Sequence, residues 1–103
     1  MTAIINQLFE IEQKLHSRAD TIADRNFKRI YHELEIMGYV VINPADREYK
    51  ETDTEIEATL SGELKGKLRV TRVFKPIIYQ QQSEDTLHLI QKGIVIVEGE
   101  NKA

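Results

Sequence analysis

The sequence predicts an α+β fold: a helical arm over residues 1–38, then a small, mostly antiparallel β domain over residues 39–103. Three observations predict it. Apolar residues recur at helical spacing through the first third of the chain. The period changes to two after Gly38. Turn-forming pairs, Asn43-Pro44, Ser61-Gly62 and Lys92-Gly93, then break the remainder into short segments.

In the arm, Ile4, Leu8, Ile11 and Leu15 are spaced four, three and four residues apart, which lines one face of a helix, and the stripe continues weakly through Ala19 to Ile22. A second series, Ala23, Phe27, Ile30, Leu34 and Met37, starts one residue out of phase. The slip requires either one straight helix whose apolar face drifts around the axis or a break within residues 17–26, and the break is favoured because Ser17 with Asp20 imitates a capping box and Asp24 is placed to cap a helix starting at Arg25. Gly38 ends that helix, because glycine accepts the left-handed conformation just past a helix C-terminus.

Residues 39–42 read as a short strand. Ile56, Ala58 and Leu60 alternate with Glu55, Glu57 and Thr59, the pattern of a half-buried strand with a charged outer face. Leu68 and Val70 share one parity and Val73 has the other, so a strand over 67–79 requires a bulge near Thr71 and Arg72 and a bend at Pro76. Residues 80–85 are polar and read as a loop. The last expected pair is 86–91 with 94–98 through Lys92 and Gly93, and Ile94 to Val97, apolar on both faces, belongs in the middle of a sheet. This makes four to six strands.

The 103 residues, 41% hydrophobic, 30% charged and without cysteine, fit one small domain or an arm plus a compact module, with no thiol-based metal site or disulfide framework. A chain this short hides only about 60–65% of the surface it exposes when unfolded, which favours an oligomer. Leaving Ile4, Leu8, Ile11, Leu15 and Ile22 in water forfeits about 1.5–3 kcal/mol for each large aliphatic side chain. They are therefore the expected dimer interface, two helical hairpins forming a four-helix bundle, unless the arm folds back on its own β domain. No apolar run is long enough to span a membrane, no secretory signal is evident, and a cytoplasmic homodimer is the simplest expectation.

Net charge is −3, from 14 basic and 17 acidic residues, which makes nucleic acid an unlikely principal ligand. Residues 46–63 hold seven acids, whereas Lys65, Lys67, Arg69, Arg72 and Lys75 follow with no acid among them. These stretches either pair with one another as neighbouring strands or present a basic face to an acidic partner. His16, His32 and His88 stand apart and lack metal-ligand spacing. The Gly62 to Lys67 stretch has the wrong spacing for a phosphate loop, and no general acid and base pair emerges. No metal, cofactor or catalytic residue is expected, so function rests on binding.

From Phe27 onward the chain resembles the C-terminal part of the GrpE family, nucleotide exchange factors for DnaK-type chaperones. Four segments carry the resemblance. The first is the helix with Phe27, Ile30, Tyr31, Leu34 and Met37 running into Gly38 and Tyr39. The second is Ile42, Asn43 and Pro44 through Tyr49 to the acidic Glu55, Ile56 and Glu57. The third is Gly66 with Val70, Val73, Phe74 and Lys75 ahead of Pro76, and the fourth is residues 89–98. The chain departs from the family pattern at Pro76 and Ile77, where Gly then Tyr is usual, and at Gln91, where Arg is usual. The resemblance implies a homodimeric co-chaperone that binds the chaperone's nucleotide-binding domain and promotes ADP release. The partner contacts it points to are Phe74, Lys75, His88 and Val97, with Gly38 orienting the β domain. The alternatives are a homodimeric scaffold and a nucleic-acid-binding β module, the latter weakened because residues 65–75 contain one aromatic, Phe74.

Overall fold

The structure, a computed structural model, describes residues 1–63 and 65–100. It is an α+β fold of two helices followed by a mostly antiparallel β region. The elements are α1 (Thr2–Ser17), α2 (Asp24–Ile36), β1 (Tyr39–Ile42), β2 (Glu48–Tyr49), β3 (Ile56–Ser61), β4 (Leu68–Lys75), β5 (Ile77–Ser83), β6 (Thr86–Gln91) and β7 (Gly93–Gly99).

The break between helices falls inside the expected window, by a different device. Beyond α1 the Asp20 N–H donates to the Leu15 carbonyl and the Ala19 N–H to that of His16, with Ala19 at φ 51°. This is a Schellman stop with alanine in glycine's usual place. The Ser17 hydroxyl donates back to the Lys14 carbonyl, and Asp20 accepts from the Ile22 N–H, so neither residue caps α2. Asp24 is the first helical residue rather than the cap, and its carboxylate meets His16 Nε2 at 3.1 Å. At the far end the Gly38 N–H bonds the Glu35 carbonyl at φ 93°, the expected glycine exit.

The strands form two sheets, ordered β1-β5-β6 and β2-β4-β7-β3. All pairings are antiparallel except β3 with β7. Three sequence expectations are corrected. Residues 80–83 are strand, paired with β6, because a polar strand at a sheet surface lacks an apolar signature. Among the described residues there are seven strands rather than four to six. β6 and β7 do not pair: the Gly93 N–H bonds the Glu55 carbonyl, and the chain leaves one sheet for the centre of the other. The backbone passes close to β5 there, since a Cβ on Gly93 would lie 3.0 Å from Ile77 Cγ1.

β5 links the layers, because successive strand side chains point to opposite faces. Ile77 joins Ile56, Val70, Val95 and Val97 between the sheets, while Ile78 joins Ile5 and Leu34 under the helices. The helices and the strand region thus share a core. A reciprocal amide pair fastens α1 to β6: Asn6 Nδ2 donates to Gln91 Oε1 at 2.9 Å, and Gln91 Nε2 donates to Asn6 Oδ1 at 2.8 Å. The loop after β2 is tied to β5 by Glu55, which accepts from the Tyr79 hydroxyl and pairs with Arg47 at 2.6 Å. Those two partners hold the Glu55 carboxyl below its ordinary range, the tyrosine bond contributing most.

Candidate interaction surface

β4 builds the most distinctive surface. Its register with β7 shifts between Val70 and Arg72 and again between Val73 and Lys75. The first irregularity is the bulge that the parity change requires: Val70 is buried, Val73 is half-buried against the same core, and the side chains between and after them turn outward. Phe74 emerges 49% exposed, with the Arg72 guanidinium 4.9 Å from its ring centroid. Such a stack, worth about 0.5–1 kcal/mol at an exposed site, holds an aromatic ring in water at a defined angle. Lys75 follows, exposed, and Pro76 is buried with its carbonyl accepting from Gln91 Nε2 at 2.9 Å.

Between β4 and α1 runs a groove of about 560 Å³, lined by Phe9, Gln13 and Lys14 on one side and by Thr71, Arg72 and Phe74 on the other. Lys14 is balanced by Glu10 at 3.3 Å, whereas among the described residues Arg72 and Lys75 have no ion-pair partner. The basic stretch is therefore divided. Arg69 is consumed internally, bonding Glu100 and the Asp46 carbonyl and standing across from Glu48, while the end of β4 remains cationic. The acidic strand β3 cannot neutralise it, since β7 lies between β3 and β4.

Gly38 and His88 lie elsewhere. The Gly38 carbonyl accepts from the Gln81 N–H at 2.7 Å, and Gln80 stands between Tyr39 and His88 in the ladder. This places Gly38 and the exposed His88 at one end of the three-stranded sheet, separated from Lys75 by a chain path of about 16 Å along β5. Register brings Phe74 to Lys75 and Gly38 to His88, and keeps the two pairs apart. Val97 is a correction: with 0% exposure it fills the core between the sheets and offers nothing to a partner, the fate of an apolar strand flanked by β4 and β3.

On α1, Ile4 and Ile11 are exposed at 59% and 48%, and Ile22 beyond it at 84%. Leu8 and Leu15 are half-buried, Leu8 against the cluster under the helices. The intramolecular contact is instead made by Ile5 and Phe9, a pair that the more regular neighbouring stripe conceals. Tyr31 also binds α2 to α1, its hydroxyl donating to Glu12 Oε1 at 3.1 Å. Burial first, then the Glu12 charge and hydrogen bond, push that hydroxyl well above the ordinary tyrosine range. Arg72, which lies over the Phe74 ring, is a residue that sequence reasoning did not single out, although its spacing two residues before Phe74 on a strand was the available signal.

Among the described residues, no cluster of three or more His, Asp or Glu side chains is placed to hold a metal ion, and no helix is long and apolar enough to cross a membrane. No protein-family model, curated protein or solved structure matches the chain.

Proposed function

We propose that the chain is a GrpE-like co-chaperone, a homodimeric adenine nucleotide exchange factor that acts on the nucleotide-binding domain of a DnaK-type chaperone. The observation that carries this reading is the exposed Phe74, braced by Arg72 and followed by the unpaired Lys75 at the end of β4. A half-exposed aromatic beside cations is the type of residue that anchors protein interfaces. The segment resemblance supports the same reading, and the exposed Ile4 and Ile11 support a second copy on α1.

The mechanism requires no covalent step. A factor that binds the open form of the chaperone's nucleotide cleft better than the closed form lowers ADP affinity by the same factor, and ADP departs faster. Tenfold corresponds to about 1.4 kcal/mol of differential affinity, within reach of a few side chains. Phe74 and Lys75 are the contacts with most exposed chemistry, His88 a second and separate one.

Stopped-flow release of fluorescent ADP from a DnaK-type chaperone tests the reading. Saturable acceleration is expected, with the half-saturating concentration raised about fivefold or more by Phe74→Ala, since truncating an anchoring interface aromatic commonly costs over 1 kcal/mol. Binding without acceleration would leave a homodimeric scaffold, and absence of both binding and acceleration would reject the proposal.

A further inference from the structure

Helix α2 carries its charges against its own backbone. Arg25, Lys28 and Arg29 occupy the first half, Glu33 and Glu35 lie near the end, and only Asp24 is acidic in the first turn, with no basic residue in the last. A helix has partial positive charge at its N-terminus and partial negative charge at its C-terminus, so Arg25 in the first turn and Glu33 and Glu35 in the last oppose the dipole, with Lys28 and Arg29 extending the basic half. All five side chains are exposed. The ion pair among them, Arg29 with Glu33 at 3.4 Å, joins side chains 79% and 54% exposed, a kind of pair that adds little. An arrangement that weakens the helix and is not repaired within the chain finds its explanation outside it.

The same face has a symmetry. Arg25, Arg29, His32 and Ile36 recur at helical spacing opposite the buried Phe27 and Leu34. Ile22, just before the helix, is 84% exposed, and Ile36 and Met37 at its end are 66% and 59% exposed. Along the helix the surface reads apolar, basic, acidic, apolar. Turned end for end, it meets its own complement: basic half against acidic half, and Ile22 against Ile36 and Met37. This is the self-complementarity that a two-fold contact requires, with each ion contact made twice.

We infer that α2 packs antiparallel against α2 of a second copy, with Arg25, Lys28 and Arg29 of each chain facing Glu33 and Glu35 of the other. The inference rests on the dimer part of the proposal above, to which α1 contributes Ile4 and Ile11, and is independent of exchange activity. The α2 charges fix which way round the two hairpins meet, as flanking charges do in paired helices. A nucleic-acid strand fits this face less well, because the acids of the second half repel phosphate and no exposed aromatic is available for stacking.

Sedimentation velocity on the full chain tests the pairing with two double variants, Arg25→Glu with Arg29→Glu, and Glu33→Arg with Glu35→Lys. Both improve the charge at one helix end while making the Arg29–Glu33 pair like-charged, two small opposing effects, so helicity should change little in circular dichroism, and recovery of association in the mixture separates lost pairing from a folding defect. Wild type is expected to dimerise. Each variant alone should show a dimer dissociation constant raised about tenfold or more, and an equimolar mixture should recover a mixed dimer. If both variants dimerise as tightly as wild type, or the mixture forms no mixed dimer, the α2 pairing is overturned while a seam on α1 survives. A wild-type mass equal to one chain at every concentration overturns the pairing and the dimer together. Neither result decides the ADP-release assay.

Discussion

Two neighbours on α1, Ile4 and Ile5, separate the ways the helix can be held. Ile5 has 0% exposure and packs with Leu34 and Ile78, whereas Ile4 is 59% exposed. Ile5→Ala removes three buried carbons and leaves a cavity between helix and sheet, a change that costs about 2–5 kcal/mol. Ile4→Ala withdraws side-chain area that is mostly wet already, at a cost under about 1 kcal/mol in the isolated chain. A domain of this size has about 5–15 kcal/mol in all, so the first change consumes a large part and the second does not. Urea titration followed by circular dichroism reads the difference. With a slope of about 2 kcal/mol per molar, a 3 kcal/mol loss moves the midpoint down by about 1.5 M. At concentrations low enough to keep the chain monomeric, equal shifts for the two variants would refute the packing of α1 on the β5 layer. At higher concentration Ile4→Ala should acquire a protein-dependent shift of its own, as a residue of the dimer seam.

Ala19→Gly should stabilise the chain by about 0.5–1 kcal/mol, since Ala19 at φ 51° sits where a Cβ is penalised; a melting point raised by about 2–6 °C is expected, and a lowered one counts against the Schellman stop. Gly38→Ala should cost about 1–2 kcal/mol in thermal unfolding, because φ 93° and the bond from the Gln81 N–H fix that geometry, and an unchanged melting point would contradict it. The depressed Glu55 carboxyl makes a pH prediction with a definite sign. Its folded value lies below the ordinary 4.5, so its contribution is complete above that pH and disappears as the pH falls through the lowered native value. Glu55→Gln should lower stability at neutral pH and flatten the acid limb below about 4.5; an acid limb as steep as that of wild type would exclude this carboxylate as its source.

Legibility followed the strength of the local signal. The phase slip, the glycine exit at Gly38 and the bulge in β4 are written in short-range spacing, and the structure has each of them. The outward turn of Phe74 follows from the same parity argument. Other features depend on partners distant in sequence. Residues 80–83 are polar yet stranded because β6 pairs with them and β1 with Gln80, a fact no local window contains. The one-residue connection at Lys92 imitates a hairpin, whereas β7 is claimed by β3 and β4 across the other sheet. Val97, apolar like its neighbours, gives no sign of which side is covered. On α1 two apolar stripes lie side by side, and the less regular one, through Ile5 and Phe9, is buried because β5 supplies Ile78 to receive it.

The order of the four-stranded sheet has a consequence for biosynthesis. Its interior strand β7 follows both flanking strands in sequence, and Ile56 at the start of β3 waits for Gly93 before its backbone finds a partner. During translation β3 and the β7-facing edge of β4 emerge unsatisfied, with Ile56 and Val70 lacking the Val95 and Val97 side chains they pack on, until the last strand threads between them. All strands of the three-stranded layer precede β7, so the helices and that layer can assemble before the four-stranded sheet is closed by the final segment of the fold.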